Sequence, residues 1–140
     1  MSDEPVLRAR ILGCGSSGGV PRVDGDWGAC DPQESKNYRR RCSLLLERAA
    51  SREALEAGEA TRVLVDTSPD LRAQLLDAGS PDIHGRAFTH THADQCHGID
   101  DVRALVYRRG ERLVAAMSEA TLRDLNARFG YIFETPRGSG

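Results

Sequence analysis

The sequence predicts an α/β domain in which a mixed sheet is flanked by helices. In the first half of the chain, short apolar runs are separated by glycine-rich and charged stretches, as in strands that follow one another in a meander. From residue 68 onwards, runs with helical spacing alternate with short strand-like runs. A meander followed by alternating helices and strands is typical of layered α/β domains.

The strands are predicted from apolar alternation and from β-branched residues. Residues 6–12 form the first strand, because apolar and charged side chains alternate there until Gly13 and Gly15 end the pattern. The runs CSLLLE at 42–47 and TRVLVD at 61–66 predict the second and third strands. Further strands are predicted at 83–89, 113–117 and 131–135.

The helices are predicted from capping residues and apolar spacing. Ser68, Pro69 and Asp70 form a helix start, because they suit the cap, the first helical position and the positive end of the helix dipole. That helix is expected to end at Gly79. Two more helices are predicted, one at 98–108 and one that Ser118 caps and that runs to about residue 128.

Two segments lack a predicted strand or long helix. Residues 13–41 hold many glycines and prolines and few apolar residues, so we expect a long loop, which is usually functional. Its start, GCGSSG at 13–18, has dinucleotide-binding spacing, but Gly19 and Pro21 prevent a helix from following, which argues against nucleotide binding. Residues 49–60 are rich in Ala and Glu and are expected to form a mobile, helical or disordered excursion.

Composition limits the environment and the partners. The 140 residues suit one domain, and 19 Lys and Arg against 21 Asp and Glu give a net charge of −2, so nucleic acid and anionic membranes are not expected partners. The acidic N-terminus lacks the apolar run of a signal peptide, which predicts a cytoplasmic protein. The cysteines are irregularly spaced and are expected to be reduced thiols: Cys14, Cys30, Cys42 and Cys96.

Residues 90–97, which we call the histidine segment, concentrate three of the four histidines directly after a predicted strand. His90, His92 and Asp94 form the pattern His-x-His-x-Asp. Imidazole nitrogen and carboxylate oxygen are ligands of zinc and similar metals, and the alternate spacing lets both rings reach one ion from a turning loop. The pattern therefore predicts a metal site, whereas the isolated His84 is expected to be an ordinary core or surface residue.

The histidine segment also carries a family resemblance. THTHADQ at 89–95 resembles the His-x-His-x-Asp-His motif of the metallo-β-lactamase superfamily, and FTHTHADQCHGIDDVR resembles the branch that contains phosphoribosyl cyclic phosphate phosphodiesterase. Three more segments match this branch in order: LGCGSSGGVP at 12–21, DWGACDP at 26–32 and VLVDTSPDLR at 63–72. The resemblance implies the N-terminal half of an αββα sandwich and a metal-dependent hydrolase with two divalent ions, zinc or manganese.

Residue roles follow from the resemblance position by position. His90 and His92 match ligands of the first metal, and Asp94 matches a ligand of the second metal that also orients the catalytic water. Asp66 matches a carboxylate that supports the metal loop from behind. Asp100 and Asp101 match a signature on the following helix and are expected to brace the loop by hydrogen bonds, with ordinary surface charges as the alternative.

The chain departs from the family at two points. Gln95 stands where a histidine usually binds the second metal, which weakens that position, and His97 is a substitute only if the loop turns differently. No histidine follows His97, although the family takes further ligands from a second half. We therefore expect residues 1–140 to be a single partial domain that lacks its second half and the rest of its metal site.

A weaker candidate is Arg41, which ends the run Arg39-Arg40-Arg41 and could contact a phosphate through its guanidinium, with a solvated loop as the alternative.

These observations lead to a main functional hypothesis and two alternatives. The main one is a phosphodiesterase that cleaves a small cyclic phosphodiester with metal-activated water and that is weakly active or inactive as this chain. An RNA-processing endonuclease of the same superfamily is less favoured, because a basic arm is absent. A non-catalytic binding remnant is the third possibility. The expected partners are a small phosphodiester and, through an uncovered apolar sheet face, a second copy of the chain.

Overall fold

The computed structural model describes residues 4–134 and contains a five-stranded mixed sheet. The strands lie in chain order: β1 Val6–Gly13, β2 Ser43–Ala49, β3 Thr61–Val65, β4 Gly85–Ala87 and β5 Val114–Ala116. The first three strands pair antiparallel, and β3, β4 and β5 pair parallel. The predicted mixed sheet, flanked by helices, is confirmed.

The helices follow the strands much as predicted. They are α1 Arg52–Glu56, α2 Leu71–Asp77, α3 Ala93–Cys96, α4 Val102–Arg109 and α5 Glu119–Phe133, with 3-10 turns at Ser35–Asn37 and Ile99–Asp101. Ser118 caps α5 as expected, because its hydroxyl oxygen accepts a hydrogen bond from the main-chain nitrogen of Thr121. None of the helices in the described part of the chain is long and apolar enough to cross a membrane.

The helices bury one face of the sheet. Leu45 of β2 and Leu64 of β3 pair on this face and are fully buried beneath α2 and α4, which contribute Leu71 and Val102. A second cluster joins β4 to α3 and α5 through four buried residues: Phe88, Cys96, Ile99 and Leu125. Together the two clusters fix the ends of β3 and β4 relative to the helices that follow them.

A buried ion pair also lies on the covered face. The Glu47 side chain is 1% exposed and receives hydrogen bonds from Arg8 Nε at 2.6 Å and Arg62 Nε at 2.9 Å. Burial alone would raise the pKa of Glu47, but these two hydrogen bonds outweigh it and hold the pKa below its ordinary value.

The opposite face of the sheet is apolar and only partly covered. It carries the paired side chains Leu44 and Val65, and Leu46 and Val63, all of intermediate burial. Towards the two edges, Ile11 is 72% exposed and Val114 is 75% exposed. Among residues 4–134, the buried core clusters lie on the helix side of the sheet.

Some details of the secondary structure can be compared with the sequence-based expectations. The sixth strand predicted at 131–135 is wrong, because residues 131–133 are helical and end α5 beyond a kink at Phe129, while Thr135 lies outside the described residues. The helix expected to start at Ser68 begins at Leu71, since Ser68 and Asp70 form a turn in which the Ser68 hydroxyl accepts from the Asp70 nitrogen. The excursion at 49–60 contains a short helix, α1, which is capped by Ser51 and is one of the two forms expected for this segment.

Candidate metal centre

The histidine segment lies at the carboxyl end of the parallel part of the sheet. It follows β4, and Asp66 follows the neighbouring strand β3. The Asp66 nitrogen donates to the Ala87 oxygen at 2.8 Å, which continues the β3–β4 pairing to the last residue before the site. Ligands of open α/β sheets bind at this edge, so the fold places the candidate residues where a site is expected.

Asp66 holds the start of the histidine segment. Its side chain is buried, and Oδ1 accepts from the Thr89 nitrogen at 2.8 Å while Oδ2 accepts from the Thr89 hydroxyl at 2.7 Å. The Asp66 backbone is left-handed, with φ of 59°, a conformation that Asp tolerates better than most residues. The Asp66 side chain thus contacts Thr89, the residue before His90.

The hydrogen bonds of Thr89 determine which ring nitrogen of His90 can bind a metal. The Thr89 oxygen lies 2.8 Å from His90 Nδ1. A hydroxyl group has one proton, and that of Thr89 is donated to Asp66, so the Thr89 oxygen must accept from His90. In the neutral ring the proton is then on Nδ1, and Nε2 keeps its lone pair for a ligand bond.

His90 and His92 lie together at the surface. Their ring centroids are 4.6 Å apart with an edge-on arrangement, and both residues are exposed. His92 immediately precedes α3, whose first turn contains Asp94. The short helix was not expected, because four residues are too few to show a helical apolar period.

Gln95 is buried, and only one of its two side-chain polar atoms has a hydrogen-bond partner. Its Nε2 donates to Asp94 Oδ2 at 2.9 Å, whereas its side-chain oxygen Oε1 is buried without a hydrogen-bond partner. Buried polar atoms are nearly always paired, so an unpaired oxygen beside a carboxylate is the kind of atom that a cation or a proton donor would satisfy. The Gln95 main chain is well anchored, because its oxygen accepts from the Thr67 nitrogen at 2.8 Å.

The middle of α5 holds the middle of the histidine segment. The Thr91 hydroxyl donates to Asp124 Oδ2 at 2.9 Å, and Arg128 Nη2 donates to the Thr91 main-chain oxygen at 2.6 Å. Asp124 and Arg128 are four residues apart, so both lie on the same side of α5. Sequence reasoning missed this pair, although their helical spacing was the available signal.

Close packing supports the other end of the segment. The Gly98 nitrogen donates to the Thr67 oxygen at 2.9 Å, and a Cβ atom at Gly98 would lie 1.9 Å from the Ser68 carbonyl oxygen. Any side chain at this position would therefore displace the main chain that follows Asp66.

Arg41 is engaged in an ion pair. Its Nε and Nη2 donate to the two oxygens of Asp70 at 2.7 and 2.9 Å, and its main-chain nitrogen donates to the same carboxylate at 2.9 Å. This arrangement lowers the pKa of Asp70, chiefly through the hydrogen bonds from the Arg41 side chain. The structure thus gives the Arg41 guanidinium a carboxylate partner, and its contact with a phosphate stays a prediction.

The remaining predicted site residues are His97, Asp100 and Asp101. The His97 ring packs edge-on against Phe129, with centroids 6.0 Å apart. Asp100 accepts from Arg103 at 3.0 Å and from the Tyr131 hydroxyl at 3.3 Å, so its contacts are with α4 and α5 and not with the histidine segment. Asp101 is exposed at the start of α4.

The four cysteines are free thiols, as expected. Cys96 belongs to the histidine segment, and burial raises the pKa of its thiol. Partial burial, followed by the carboxylates of Asp66 and Asp94, also raises the pKa of the Cys42 thiol, so both thiols stay protonated at neutral pH.

Comparison with protein families decides the classification. Residues 61–139 match the model of the beta-lactamase superfamily domain. The chain belongs to the beta-lactamase superfamily. The match covers more than half of the chain and includes Asp66 and the whole histidine segment.

Individual relatives of this beta-lactamase superfamily chain are longer. It is 34% identical to a solved structure, a new diphosphatase from the PhnP family, with a TM-score of 0.76, covering 91% of this chain and 49% of the diphosphatase. It is 33% identical to an octanoyltransferase of Porphyromonas gingivalis over 91% of this chain and 24% of that protein. Zn²⁺-bound PqqB from Methylobacterium extorquens shares the fold, at 20% identity and a TM-score of 0.57.

The side chains of this superfamily member fit part of a metal site. His90 and His92 supply two adjacent imidazoles, and the unpaired Gln95 oxygen adds a hard donor close to Asp94. Among residues 4–134, no three His, Cys, Asp or Glu side chains converge closely enough to hold a metal ion. The described residues therefore provide a pair of ligands and their supports, but not a closed coordination shell.

Proposed function

We propose that this chain contributes the His90, His92 and Asp94 ligands to a metal-dependent hydrolase whose substrate is a small, cyclic phosphodiester. The observation that carries the proposal is the hydrogen-bonded series Asp66, Thr89 and His90, which leaves the Nε2 lone pair of His90 directed away from its supports. Metal-binding histidines commonly donate their other N–H to such a partner, which fixes the tautomer and the ring orientation.

The residues of the proposed site would have different roles. His90 and His92 would hold one divalent ion, and Asp94 would help to hold a second and orient the attacking water. Bound zinc or manganese would lower the pKa of a coordinated water and polarise a phosphoryl oxygen. Asp66 and Thr89 orient His90 from one side, while Asp124 and Arg128 hold Thr91 from the other.

The choice of phosphorus chemistry is supported by the similarity to the PhnP-family diphosphatase, which extends over 91% of this chain. A phosphodiester fits the sequence motifs, and a diphosphate is the substrate class named for that relative. The chain spans about half of the relative's length, so activity of the 140-residue chain is expected to be weak. Four free thiols suit the reducing cytoplasm, which we propose as its location.

The decisive experiment is a calorimetric titration of the 140-residue chain with Zn²⁺ and with Mn²⁺. We expect binding that weakens by about tenfold or more in His90→Asn and in His92→Asn, because each variant removes one imidazole ligand. His97→Asn is the matched control and should bind like the unchanged protein, since its ring contacts Phe129. Equal binding by the His90 variant and the unchanged protein would refute the proposed site.

Turnover is measured separately with bis(4-nitrophenyl) phosphate and with an organic diphosphate. Hydrolysis that disappears in His92→Asn supports the enzymatic proposal and shows which ester class is preferred. A second candidate function, a non-catalytic binding module, is favoured by the lack of a three-ligand group among residues 4–134 and by Gln95. It predicts metal binding by the two histidines without hydrolysis of either compound.

A further inference from the structure

A cavity of about 790 Å³ lies on the helix-covered side of the sheet, away from the residues that hold the histidine segment. It is bounded by β4 and β5, by α4 and by the last turn of α5. Its apolar lining includes Val102, Val106, Leu113, Ile132 and Phe133. Cavities of this size hold small organic ligands when a few polar groups fix the head of the ligand.

The buried polar group of this cavity is the guanidinium of Arg86, which is the middle residue of β4. Arg86 is 7% exposed, and its Nε is buried without a hydrogen-bond partner. The guanidinium carbon lies 5.9 Å from the ring centres of Phe88 and Phe133, so two aromatic faces are its nearest partners. Cation–π contacts of this kind offset only part of the cost of removing a charge from water.

The other charged groups that line the cavity do not neutralise Arg86. Asp100 is shared between Arg103 and Tyr131, and the Arg112 Nη1 donates to the Phe133 oxygen at 3.0 Å. Glu134 lines the cavity but is exposed. Within residues 4–134, Arg86 forms no ion pair with any carboxylate, and burial lowers its pKa with no opposing contribution from a negative charge.

We propose that the Arg86 cavity binds a small organic carboxylate whose charged head meets the Arg86 guanidinium and whose apolar body lies among Val106, Leu113 and Ile132. A carboxylate matches the guanidinium geometry, since it accepts two parallel N–H bonds. It would also satisfy the buried Nε, which has no hydrogen-bond partner in the structure. The site does not depend on metal binding by the histidine segment.

Three compounds separate the contributions of charge and apolar surface. Hexanoate is the probe, hexanamide is its uncharged counterpart, and inorganic phosphate supplies an anion without an apolar body. Calorimetry on the full 140-residue chain should show hexanoate binding about tenfold or more tighter than hexanamide or phosphate. Equal affinity for hexanoate and hexanamide would overturn the proposal, and so would equal affinity for hexanoate and phosphate.

Substitutions locate the site. Arg86→Met should abolish the preference for hexanoate over hexanamide, and Arg86→Lys should retain part of it, because the charge remains without the paired N–H geometry. Arg103→Met is the matched control, since Arg103 lines the same cavity but is paired with Asp100. A preference that survives in Arg86→Met, or that falls equally in Arg103→Met, contradicts the assignment to Arg86.

A second readout covers the case in which a variant folds poorly. Without ligand, Arg86→Met should melt at the same temperature as the unchanged protein or higher, because it removes an unpaired buried charge. Hexanoate should raise the melting temperature of the unchanged protein and not that of Arg86→Met. If hexanoate binds only after Glu134→Gln, then Glu134 is the natural partner of Arg86 and the proposed ligand is wrong.

Discussion

Arg128 donates a 2.6 Å hydrogen bond to the main-chain oxygen of Thr91, the residue that separates the two adjacent histidines. The bond joins α5 to the histidine segment across 37 residues of chain. Because a charged donor strengthens a hydrogen bond, this contact and the neighbouring Asp124 bond fix the main chain from which both imidazoles project.

Arg128→Gln should therefore loosen the histidine segment. We expect a loss of about 0.5–1.5 kcal/mol in the free energy of unfolding, the usual contribution of one hydrogen bond, and a zinc affinity lowered by up to about tenfold. Urea unfolding and zinc titration measure the two effects. Arg123→Gln, which breaks an exposed pair with Glu119 on the same helix, is the control and should change neither quantity.

The Asp66–Thr89–His90 series predicts a difference between two substitutions of similar size. Thr89→Val removes the hydroxyl and leaves the buried Asp66 carboxylate without one of its donors, so we expect destabilisation by about 1–3 kcal/mol. Thr89→Ser keeps the hydroxyl and should remain close to the unchanged protein in both stability and zinc affinity. If both variants behave alike in urea unfolding and zinc titration, the hydroxyl does not orient His90.

Gln95→His replaces an amide by an imidazole at the position where the superfamily usually has a histidine. In a protein that supplies the remaining ligands, we expect higher occupancy of the second metal, because imidazole is the better ligand for zinc. Calorimetric titration with zinc or manganese measures the stoichiometry. Unchanged stoichiometry and affinity would show that residue 95 lies outside the coordination shell and that its unpaired oxygen has another partner.

The sequence was sufficient for the features that depend on neighbouring residues. The first three strands alternate or cluster apolar residues over five to eight positions, and Gly79 ends the α2 region with a positive φ of 86°. The order β3, β4 and the histidine segment could also be predicted, because Asp66 follows β3 directly and His90 lies three residues beyond the end of β4.

Contacts between distant residues could not be predicted in the same way. Arg41 is a candidate phosphate contact in the sequence, but its pairing with Asp70, which lies 29 residues away in the chain, forms only after folding. The expected strand at 131–135 depended on the aromatic and β-branched residues Tyr131, Ile132 and Phe133. Packing overrode that preference: beyond the kink at Phe129 the chain stays helical, and Ile132 and Phe133 pack against the cluster of Leu125.

The buried Glu47 predicts a specific response to acid. Its pKa is held below the ordinary 4.5 by the hydrogen bonds of Arg8 and Arg62, so this stabilisation is present above about pH 4.5 and is lost as the pH falls through the lowered pKa. Glu47→Gln should cost about 3 kcal/mol near pH 7, because the buried Arg62 guanidinium is left without its carboxylate partner.

Unfolding in urea between pH 3 and pH 7 tests whether the contribution of Glu47 to stability depends on pH. The stability difference between the unchanged protein and Glu47→Gln should shrink at the acidic end of the range, where Glu47 itself becomes protonated. Glu59→Gln, at an exposed position between α1 and β3, should follow the unchanged protein at every pH. A constant difference across the range would mean that Glu47 stabilises the fold by packing and not through its charge.

The last prediction concerns the apolar face of the sheet. Leu44, Leu46, Val63 and Val65 form two cross-strand pairs at its centre, and Ile11 extends the face to one edge with 72% of its surface exposed. Contiguous exposed apolar surface of more than a few hundred Å² promotes association or dye binding. The 140-residue chain, expressed alone, should therefore bind a hydrophobic dye and self-associate at micromolar concentration.

Substitutions at the edges of this face distinguish it from other exposed apolar residues. Ile11→Glu combined with Val114→Lys should reduce dye binding and self-association with little loss of stability, because both side chains are already largely exposed and lie on opposite edges of the same face. Leu122→Lys is the control: Leu122 is 43% exposed, but it lies on α5, on the other side of the sheet, so its replacement should leave both measurements unchanged. A chain that sediments as a monomer, binds no dye and unfolds in one sharp transition would contradict the prediction, since these properties require the apolar face to be covered within the chain itself.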